Sequence, residues 1–323
     1  MTLTNKSILI TGGAGFIGSH VAEQIALHNP KKIIIVDNFF LGENSNLREL
    51  SSSTKGLEFT VLRMDASSLS SMAEICKKYE IETVFDLATV PLPTSLNFPN
   101  WTIKTNIDIA ATFCELARTG DVEYLCYVSS SEAYGSARYI PMDEEHPLDA
   151  TTPYAASKSS ADQIIQSYVK TFGIDAVILR PFNNFGPRQN SGSYAGIIPT
   201  VINRVLEKFP IEIYGDGEQT RDFTFVKNTS RAIIDIFNAS PPSGEIYNLA
   251  TGVETTINNL VKMLLEVLGR PNHPIVYKEK RLGDVRRHCA DTSKTTMLIK
   301  YALDRLNVNQ VQETVDWYLR KKL

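Results

Sequence analysis

The sequence lacks the features typical of membrane proteins and of nucleic-acid-binding proteins. No apolar run approaches the roughly 20 residues that a membrane-spanning helix needs, and residues 1–6 do not have the pattern of a signal peptide. The 33 basic and 36 acidic residues give a net charge of −3, so we expect neither nucleic acid nor an anionic membrane as a partner. These absences together indicate a cytoplasmic protein.

Cysteine is also scarce and scattered along the chain. The four cysteines, Cys76, Cys114, Cys126 and Cys289, are far apart and form no CxxC pair. Cys114 and Cys126 lie among apolar residues, which predicts buried free thiols rather than disulfides or metal ligands. We therefore expect no metal site.

What the chain does have is a regular alternation of strand-like and helix-like segments. Short apolar runs predict strands at residues 6–11, 32–37, 58–62, 83–87, 122–129 and 174–179. Helical periodicity lies between these runs, and it is longest at residues 99–119 and 153–172. Such alternation predicts an α/β fold, a Rossmann-type doubly wound parallel sheet with helices on both faces.

The pattern loosens after Arg180, where proline and glycine interrupt the chain more often. This change predicts a smaller α+β region that binds the substrate beside the sheet. We place the dinucleotide-binding domain at residues 1–180, with 222–250 returning to it. The smaller region then comprises residues 181–221 and 251–323.

A glycine-rich turn follows the first predicted strand. Gly13, Gly15 and Gly18 satisfy the pattern GxGxxG, with an additional glycine at Gly12, and a helical segment comes next. This order is typical of a dinucleotide site, because the glycines let the backbone and the helix N-terminus approach a pyrophosphate. Asp37, at the end of the second strand, would accept hydrogen bonds from the ribose hydroxyls and repel a 2′-phosphate, so NAD is favoured over NADP.

Tyr154 and Lys158 lie four residues apart on a predicted helix that begins at Pro153. The spacing places both side chains on one helix face, where a positive charge lowers the pKa of a nearby phenol. A tyrosine tuned in this way can act as a general base. An isolated YxxxK pair is more often an ordinary part of a helix surface, so the pair depends on the other motifs for its interpretation. A hydroxyl from Ser129, Ser130 or Ser131, at the end of a strand, could bind the substrate oxygen that Tyr154 deprotonates.

Taken together, these motifs resemble the extended short-chain dehydrogenase/reductases, and specifically the nucleotide-sugar epimerase/dehydratase group. The resemblance covers nearly the whole chain. It rests on residues 11–18, Asp37, Asn38, Asp65, Leu87, Ala88, Asn106, residues 129–135, Tyr154, Lys158, and residues 180–187, 221–223 and 281–285. One departure is Asp86 with Thr89, where the family often has the sequence His-Leu-Ala-Ala.

The resemblance implies a role for each matching residue. Ser130, Tyr154 and Lys158 would form the catalytic triad, and Lys158 would also hold the ribose and lower the pKa of Tyr154. The NAD site would comprise Gly12, Gly15, Phe16, Ile17, Gly18, Asp37, Asn38, Asp65, Ala66, Leu87, Ala88, Tyr154 and Lys158. Asn183 would bind the substrate diphosphate, Arg221 and Arg281 its phosphates or hydroxyls, and Tyr214 would lie near the base. The helices at 99–119 and 153–172 would pair in a homodimer.

The reaction depends on the residues that follow Ser130. Family members first oxidise C4 of a nucleotide sugar, and a 4,6-dehydratase then needs a base at C5 and an acid for the leaving C6 hydroxyl. Glu132 and Ser131 are suited to these two roles, which favours a 4,6-dehydratase acting on a UDP- or GDP-linked hexose or N-acetylhexosamine. The alternatives are a 4-epimerase of the UDP-glucose, UDP-GlcNAc or uronate type, a uronate decarboxylase, and a non-catalytic NAD-binding protein.

Overall fold

The computed structural model describes residues 1–48, 50, 57–192, 195–280 and 285–322. In these residues the chain forms twelve strands and ten α-helices. The strands are β1 (Ser7–Thr11), β2 (Lys32–Asp37), β3 (Glu58–Arg63), β4 (Thr83–Asp86), β5 (Tyr124–Val128), β6 (Ala176–Pro181), β7 (Asn183–Phe185), β8 (Ile211–Tyr214), β9 (Thr220–Phe225), β10 (Ile246–Leu249), β11 (Glu254–Thr256) and β12 (Ile275–Lys278).

The helices connect these strands and cover them. They are α1 (Phe16–Ala26), α2 (Leu69–Tyr79), α3 (Leu92–Asn97), α4 (Pro99–Thr119), α5 (Pro153–Phe172), α6 (Ile197–Leu206), α7 (Val226–Asn238), α8 (Ile257–Val267), α9 (Ser293–Ile299) and α10 (Val308–Lys322). Short 3₁₀ helices occur at Asn44–Leu47 and Ser131–Tyr134. None of the helices within the described ranges is long and apolar enough to cross a membrane.

Seven strands form one parallel sheet in the order β10-β6-β5-β4-β1-β2-β3. Both faces of this sheet are buried, which explains why its strands are almost continuously apolar. In β1, Ile8 and Ile10 pack against α1 and α7, whereas Leu9 points to the other face, where α2, α4 and α5 lie. The prediction of a doubly wound parallel sheet is therefore confirmed.

The smaller region has its own core. A three-stranded sheet of β7, β9 and β11 and a pair of β8 with β12 pack with α6, α8 and α10. Ile202, Leu260, Leu264 and Val315 are among the buried side chains that join these elements. After passing through part of this region, the chain returns to the large sheet as β10, which pairs in parallel with β6.

The predicted strands and helices agree closely with those observed, but the sequence patterns missed six short elements: α3, α9, β7, β11 and the 3₁₀ helices at Asn44–Leu47 and Ser131–Tyr134. In α3, Pro91 and Pro93 lie at the start of the helix, where proline is tolerated. The prediction of free buried thiols is confirmed, because all four cysteines are buried and unpaired.

A buried ion pair joins α5 to β6 near the carboxyl edge of the large sheet. Arg180 Nε of β6 donates to Asp162 Oδ2 of α5 over 2.9 Å, and both side chains are at most 2% exposed. The Arg180 guanidinium also lies 4.5 Å from the ring centre of Tyr134, whose hydroxyl donates to Asn248 Oδ1 of β10 over 2.7 Å. One charged pair thus fixes a helix, two strands and the loop after β5.

We expect Asp162→Ala to lower the free energy of unfolding by about 3 kcal/mol or more, because it leaves the arginine charge buried without a partner. Equilibrium unfolding in urea measures this loss. The control is Glu80→Ala, which removes an exposed partner of Lys31 and should lower the stability far less, because water screens an exposed ion pair. Equal losses in the two variants would contradict this account of the Arg180 pair.

Candidate active site

The glycine-rich turn between β1 and α1 requires glycine at specific positions. Gly12 has a φ of +62°, and a Cβ added there would lie 2.9 Å from the backbone nitrogen of Ala88. A Cβ added to Gly18 would lie only 2.2 Å from the carbonyl oxygen of Gly12. The first turn of α1 therefore packs directly on the turn, and its N-terminal N–H groups remain available to an anion such as a pyrophosphate.

Asp37 ends β2 beside this turn. Its carboxylate accepts hydrogen bonds from the backbone N–H groups of Ala14, over 3.0 Å, and Phe39, over 2.8 Å. Burial raises the pKa of Asp37, and these two hydrogen bonds oppose the increase. Two accepted bonds leave further lone pairs on the carboxylate for the hydroxyls of a ribose.

A cleft of about 360 Å³ runs along the carboxyl edge of the sheet. Every residue that the sequence predicts for NAD lines it: Gly12, Gly15, Phe16, Ile17, Gly18, Asp37, Asn38, Asp65, Ala66, Leu87, Ala88, Tyr154 and Lys158. The close glycine contacts, the carboxylate at the end of β2 and the length of this lining fit a dinucleotide. The cleft follows the edge where the strand order reverses between β1 and β4, which is where ligands bind in sheets of this kind.

Tyr154 and Lys158 lie on the first two turns of α5. The side chain of Thr152 caps this helix by accepting from the Ala155 N–H over 3.1 Å. Lys158 is buried, its Nζ donates to the Val128 carbonyl over 2.9 Å, and it lies 4.4 Å from the ring centre of Tyr127. The helix thus carries the tyrosine at the cleft and directs the lysine onto the end of β5.

Ser130 lies where β5 ends and a 3₁₀ helix begins. Its Oγ accepts from the Glu132 N–H over 3.2 Å, and its side chain lies close enough to Tyr154 to influence the pKa of the phenol. The three residues predicted to form the triad, Ser130, Tyr154 and Lys158, therefore come together at the end of one strand. This arrangement can hold a substrate oxygen between the serine and the tyrosine.

The pKa of Tyr154 differs from the sequence-based expectation. Burial raises it to about 12, the charge of Glu132 adds to this increase, and hydrogen bonds to Ser130 and Thr89 oppose it. Lys158 is not among the main influences on this pKa, so its predicted lowering effect stays a prediction. The lysine is directed at β5 rather than at the phenol, and burial lowers its own pKa to about 8.

A second cleft, of about 340 Å³, opens beside the first. The predicted residues Ser130, Ser131, Glu132, Tyr154 and Asn183 line it, and Ser130 and Tyr154 line both clefts. The Nδ2 of Asn183 is buried and has no hydrogen-bond partner among the described residues. A buried donor of this kind is suited to a ligand oxygen.

The structure does not bring all the predicted substrate residues to these two clefts. Arg221, on β9, donates from Nη1 to the carbonyls of Thr220, over 2.8 Å, and Val285, over 2.7 Å, and it lines neither cleft. Tyr214, at the end of β8, also lines neither cleft. Arg281 lies outside the described residues.

Sequence patterns gave no indication of His288. This buried histidine lies close to the backbone of Ser131, and its ring centre lies 4.8 Å from that of Phe182, which lines both clefts. Burial, reinforced by the charge of Arg221, lowers the pKa of His288 to about 4. The neutral ring therefore supports both the loop after β5 and the shared wall of the two clefts.

An aromatic contact at the edge of the first cleft was also missed. Phe40 lines the cleft, and its ring lies edge-on to Trp101 of α4, with 5.2 Å between the ring centres. The two consecutive phenylalanines after Asn38 were the available signal, but nothing in the sequence pairs this loop with α4.

Comparison with known proteins agrees with this geometry. A model of the NAD dependent epimerase/dehydratase family matches residues 8–250. The dTDP-glucose 4,6-dehydratase of Actinoplanes sp. is 31% identical over 317 residues, which are 96% of this chain and 97% of that protein. The UDP-N-acetyl-alpha-D-glucosaminuronate decarboxylase of Bacillus cytotoxicus is 32% identical over 263 residues, 80% of this chain and 78% of that protein.

A solved structure is similar over the full length. The UDP-N-acetylglucosamine 4-epimerase from Methanobrevibacter ruminantium M1, in complex with UDP-N-acetylmuramic acid, superposes with a TM-score of 0.89 at 32% identity. The match covers 98% of this chain and 99% of that one. Relatives at about 30% identity thus include a dehydratase, a decarboxylase and an epimerase.

We expect Gly18→Ala to weaken NAD binding at least about tenfold, or roughly 1.4 kcal/mol, because the new methyl group would push α1 away from the turn. Calorimetric titration with NAD measures this change. Gly269→Ala is the control, since an added Cβ there meets no atom within 4 Å. Equal NAD affinity in the two variants would show that the turn does not contact the cofactor.

Proposed function

The chain belongs to the NAD dependent epimerase/dehydratase family, and from this premise we propose that it is a nucleotide-sugar 4,6-dehydratase. Its substrate is a UDP- or GDP-linked hexose or N-acetylhexosamine. The observation that carries the proposal is the position of Glu132. Its side chain lines the second cleft together with Ser130, Ser131 and Tyr154, so a carboxylate lies beside the predicted triad.

Tyr154 is the base in the first step, in which it takes the proton of the C4 hydroxyl while Ser130 donates a hydrogen bond to the same oxygen. A bound NAD would supply the hydride acceptor for C4 and the hydride for C6, where a proton added at C5 completes the reduction, so there would be no net consumption of cofactor. The tyrosine pKa of about 12 must fall before the phenol can act as a base near neutral pH. The positive charge of Lys158 contributes to that decrease once the site is filled.

Glu132 and Ser131 act in the second step. The ketone at C4 acidifies the proton on C5, and the Glu132 carboxylate removes it. The C6 hydroxyl leaves as water, and Ser131 relays the proton that it requires. Ser131 is buried at the start of the 3₁₀ helix, and the buried ring of His288 lies close to its backbone.

Asn183 binds the diphosphate of the substrate. Its buried Nδ2 has no partner in the described part of the chain, and it lines the same cleft as Glu132. Arg221, Arg281 and Tyr214 remain predictions for the nucleotide end.

The runner-up is an NAD-dependent 4-epimerase, for which the similarity to the epimerase of Methanobrevibacter ruminantium is the specific support. An epimerase needs the triad but no base at C5. A uronate decarboxylase and a non-catalytic NAD-binding protein are less favoured alternatives. We also propose a homodimer in which α4 and α5 pack against their copies; a monomeric molar mass in solution at micromolar concentration would contradict it.

We expect the protein to convert one member of a panel of UDP-, GDP-, dTDP- and CDP-sugars to a product lighter by one water, identified by mass spectrometry and NMR as the 4-keto-6-deoxy sugar. Glu132→Gln should slow this conversion by about 10²–10⁴-fold, the usual contribution of a general base. A product of unchanged mass with inverted C4, formed equally well by Glu132→Gln, would establish the epimerase instead.

Two variants complete the test of these roles. Glu145→Gln changes an exposed glutamate in the same connecting segment, so it should leave turnover unchanged. Tyr154→Phe should abolish turnover of every substrate while leaving NAD affinity within a few-fold of the wild type. Persistent activity in Tyr154→Phe would mean that another group is the base.

A further inference from the structure

Asp86 is a buried carboxylate to which the proposed reaction gives no role. It ends β4 and is 1% exposed. Its Oδ1 accepts a hydrogen bond from the hydroxyl of Thr11. The Thr11 Oγ1 in turn accepts from the backbone N–H groups of Leu87 and Ala88, each over 3.1 Å. The Oδ2 of Asp86 is buried and has no hydrogen-bond partner in the described ranges. A buried carboxylate is costly unless a charge compensates it.

The compensating charge is that of Lys158, which α5 directs onto the neighbouring strand β5. In the sheet, Asp86 pairs with Tyr127 of β5, and the Lys158 Nζ lies 4.4 Å from the centre of the Tyr127 ring. The two opposite charges act on each other, since the ammonium lowers the pKa of Asp86 and the carboxylate raises that of Lys158. Lys158 therefore has an anionic neighbour on the strand beside the one that it contacts.

The other titratable groups around this pair do not replace Asp86. Asp162, one turn along α5, also attracts Lys158, but its Oδ2 is bonded to Arg180. Burial raises the pKa of the Cys114 thiol to about 12, and it also raises the pKa values of Cys126 and Tyr127, so all three are neutral near pH 7. Asp86 has no arginine or second lysine paired with it among the described residues.

We propose that Asp86 is the counter-charge that keeps Lys158 protonated at neutral pH. It is a positioning residue that acts through Lys158 and touches neither substrate nor cofactor. The role of Lys158 beside Tyr154 rests on the proposed function, but the charge on Lys158 can be measured without any reaction.

The direction of the effect follows from burial. Burial lowers the pKa of Lys158 to about 8 even with Asp86 present, so the protonated form is only moderately favoured over the neutral amine near neutral pH. Without the Asp86 charge, Lys158 loses its proton at a lower pH. Burial raises the pKa of Asp86 to about 6. Well below that pH Lys158 is protonated with or without Asp86. The protonated fraction of Lys158 should therefore be the same in acid whether or not Asp86 carries its charge, and should differ above neutral pH.

The test compares the titration of Lys158 in wild type and in Asp86→Asn, which keeps the shape of the side chain and removes its charge. NMR of the protein labelled with ¹³C at lysine Cε follows each lysine, and Lys158→Met assigns the signal. We expect the Lys158 midpoint to fall by about one pH unit in Asp86→Asn, a tenfold loss of proton affinity. An unchanged midpoint would overturn the proposal.

Two further variants separate charge from shape. Asp86→Glu keeps the charge and should keep the midpoint within a few tenths of a unit of wild type, so a decrease like that of Asp86→Asn would overturn the proposal. Asp121→Asn removes one negative charge from an exposed loop at the opposite end of the sheet, and it should leave the Lys158 midpoint unchanged.

Activity gives an independent measurement once a substrate is known. The alkaline limit of kcat should move to lower pH in Asp86→Asn by the same amount as the Lys158 midpoint, with the acid limit unchanged. If no sugar of the panel is turned over, the proposed function fails, whereas the NMR titration still decides the role of Asp86. A shifted midpoint without a shifted kcat profile would overturn the positioning role in catalysis.

Discussion

The site depends on how closely the start of α1 packs on the glycine-rich turn. With any side chain at Gly18, the carbonyl of Gly12 would be in steric conflict, and the helix N-terminus would move away from the cleft. The same turn packs on the backbone of Leu87 and Ala88, so β1, β4 and α1 have one common contact point. Thr11, just before the turn, bonds to both of those backbone N–H groups and to Asp86, and it thereby connects the cofactor cleft to the charge beside Lys158.

Much of the fold and part of the site could be predicted from local patterns. Strand and helix periodicity predicted the doubly wound sheet, because strands buried on both faces are continuously apolar. The glycine spacing, the position of Asp37 after its strand and the spacing of Tyr154 and Lys158 predicted residues that do line one cleft. Each of these signals lies within a single strand–turn–helix unit, where sequence distance and spatial distance are closely related.

The parts that could not be predicted depend on contacts between distant segments. The direction of the Tyr154 pKa follows from burial and from where α5 aims Lys158, neither of which can be inferred from a four-residue spacing. His288 reaches Ser131 from a segment more than 150 residues away in the chain. The contact between Phe40 and Trp101 joins two elements that no pattern pairs. The motif predicted Arg221 as a substrate residue, but it did not predict that this arginine donates to backbone carbonyls.

The hydrogen bond between Tyr134 and Asn248 has a consequence for synthesis of the chain. The ribosome makes the turn, the strand of Asp37, the serine loop and the helix of Tyr154 within the first 172 residues. Tyr134, which closes the 3₁₀ helix after Ser130, receives its partner only when β10 has been made and has paired with β6. A nascent chain can therefore assemble the walls of the cofactor cleft well before the reactive loop is held in place, and the order of translation separates cofactor binding from catalytic competence.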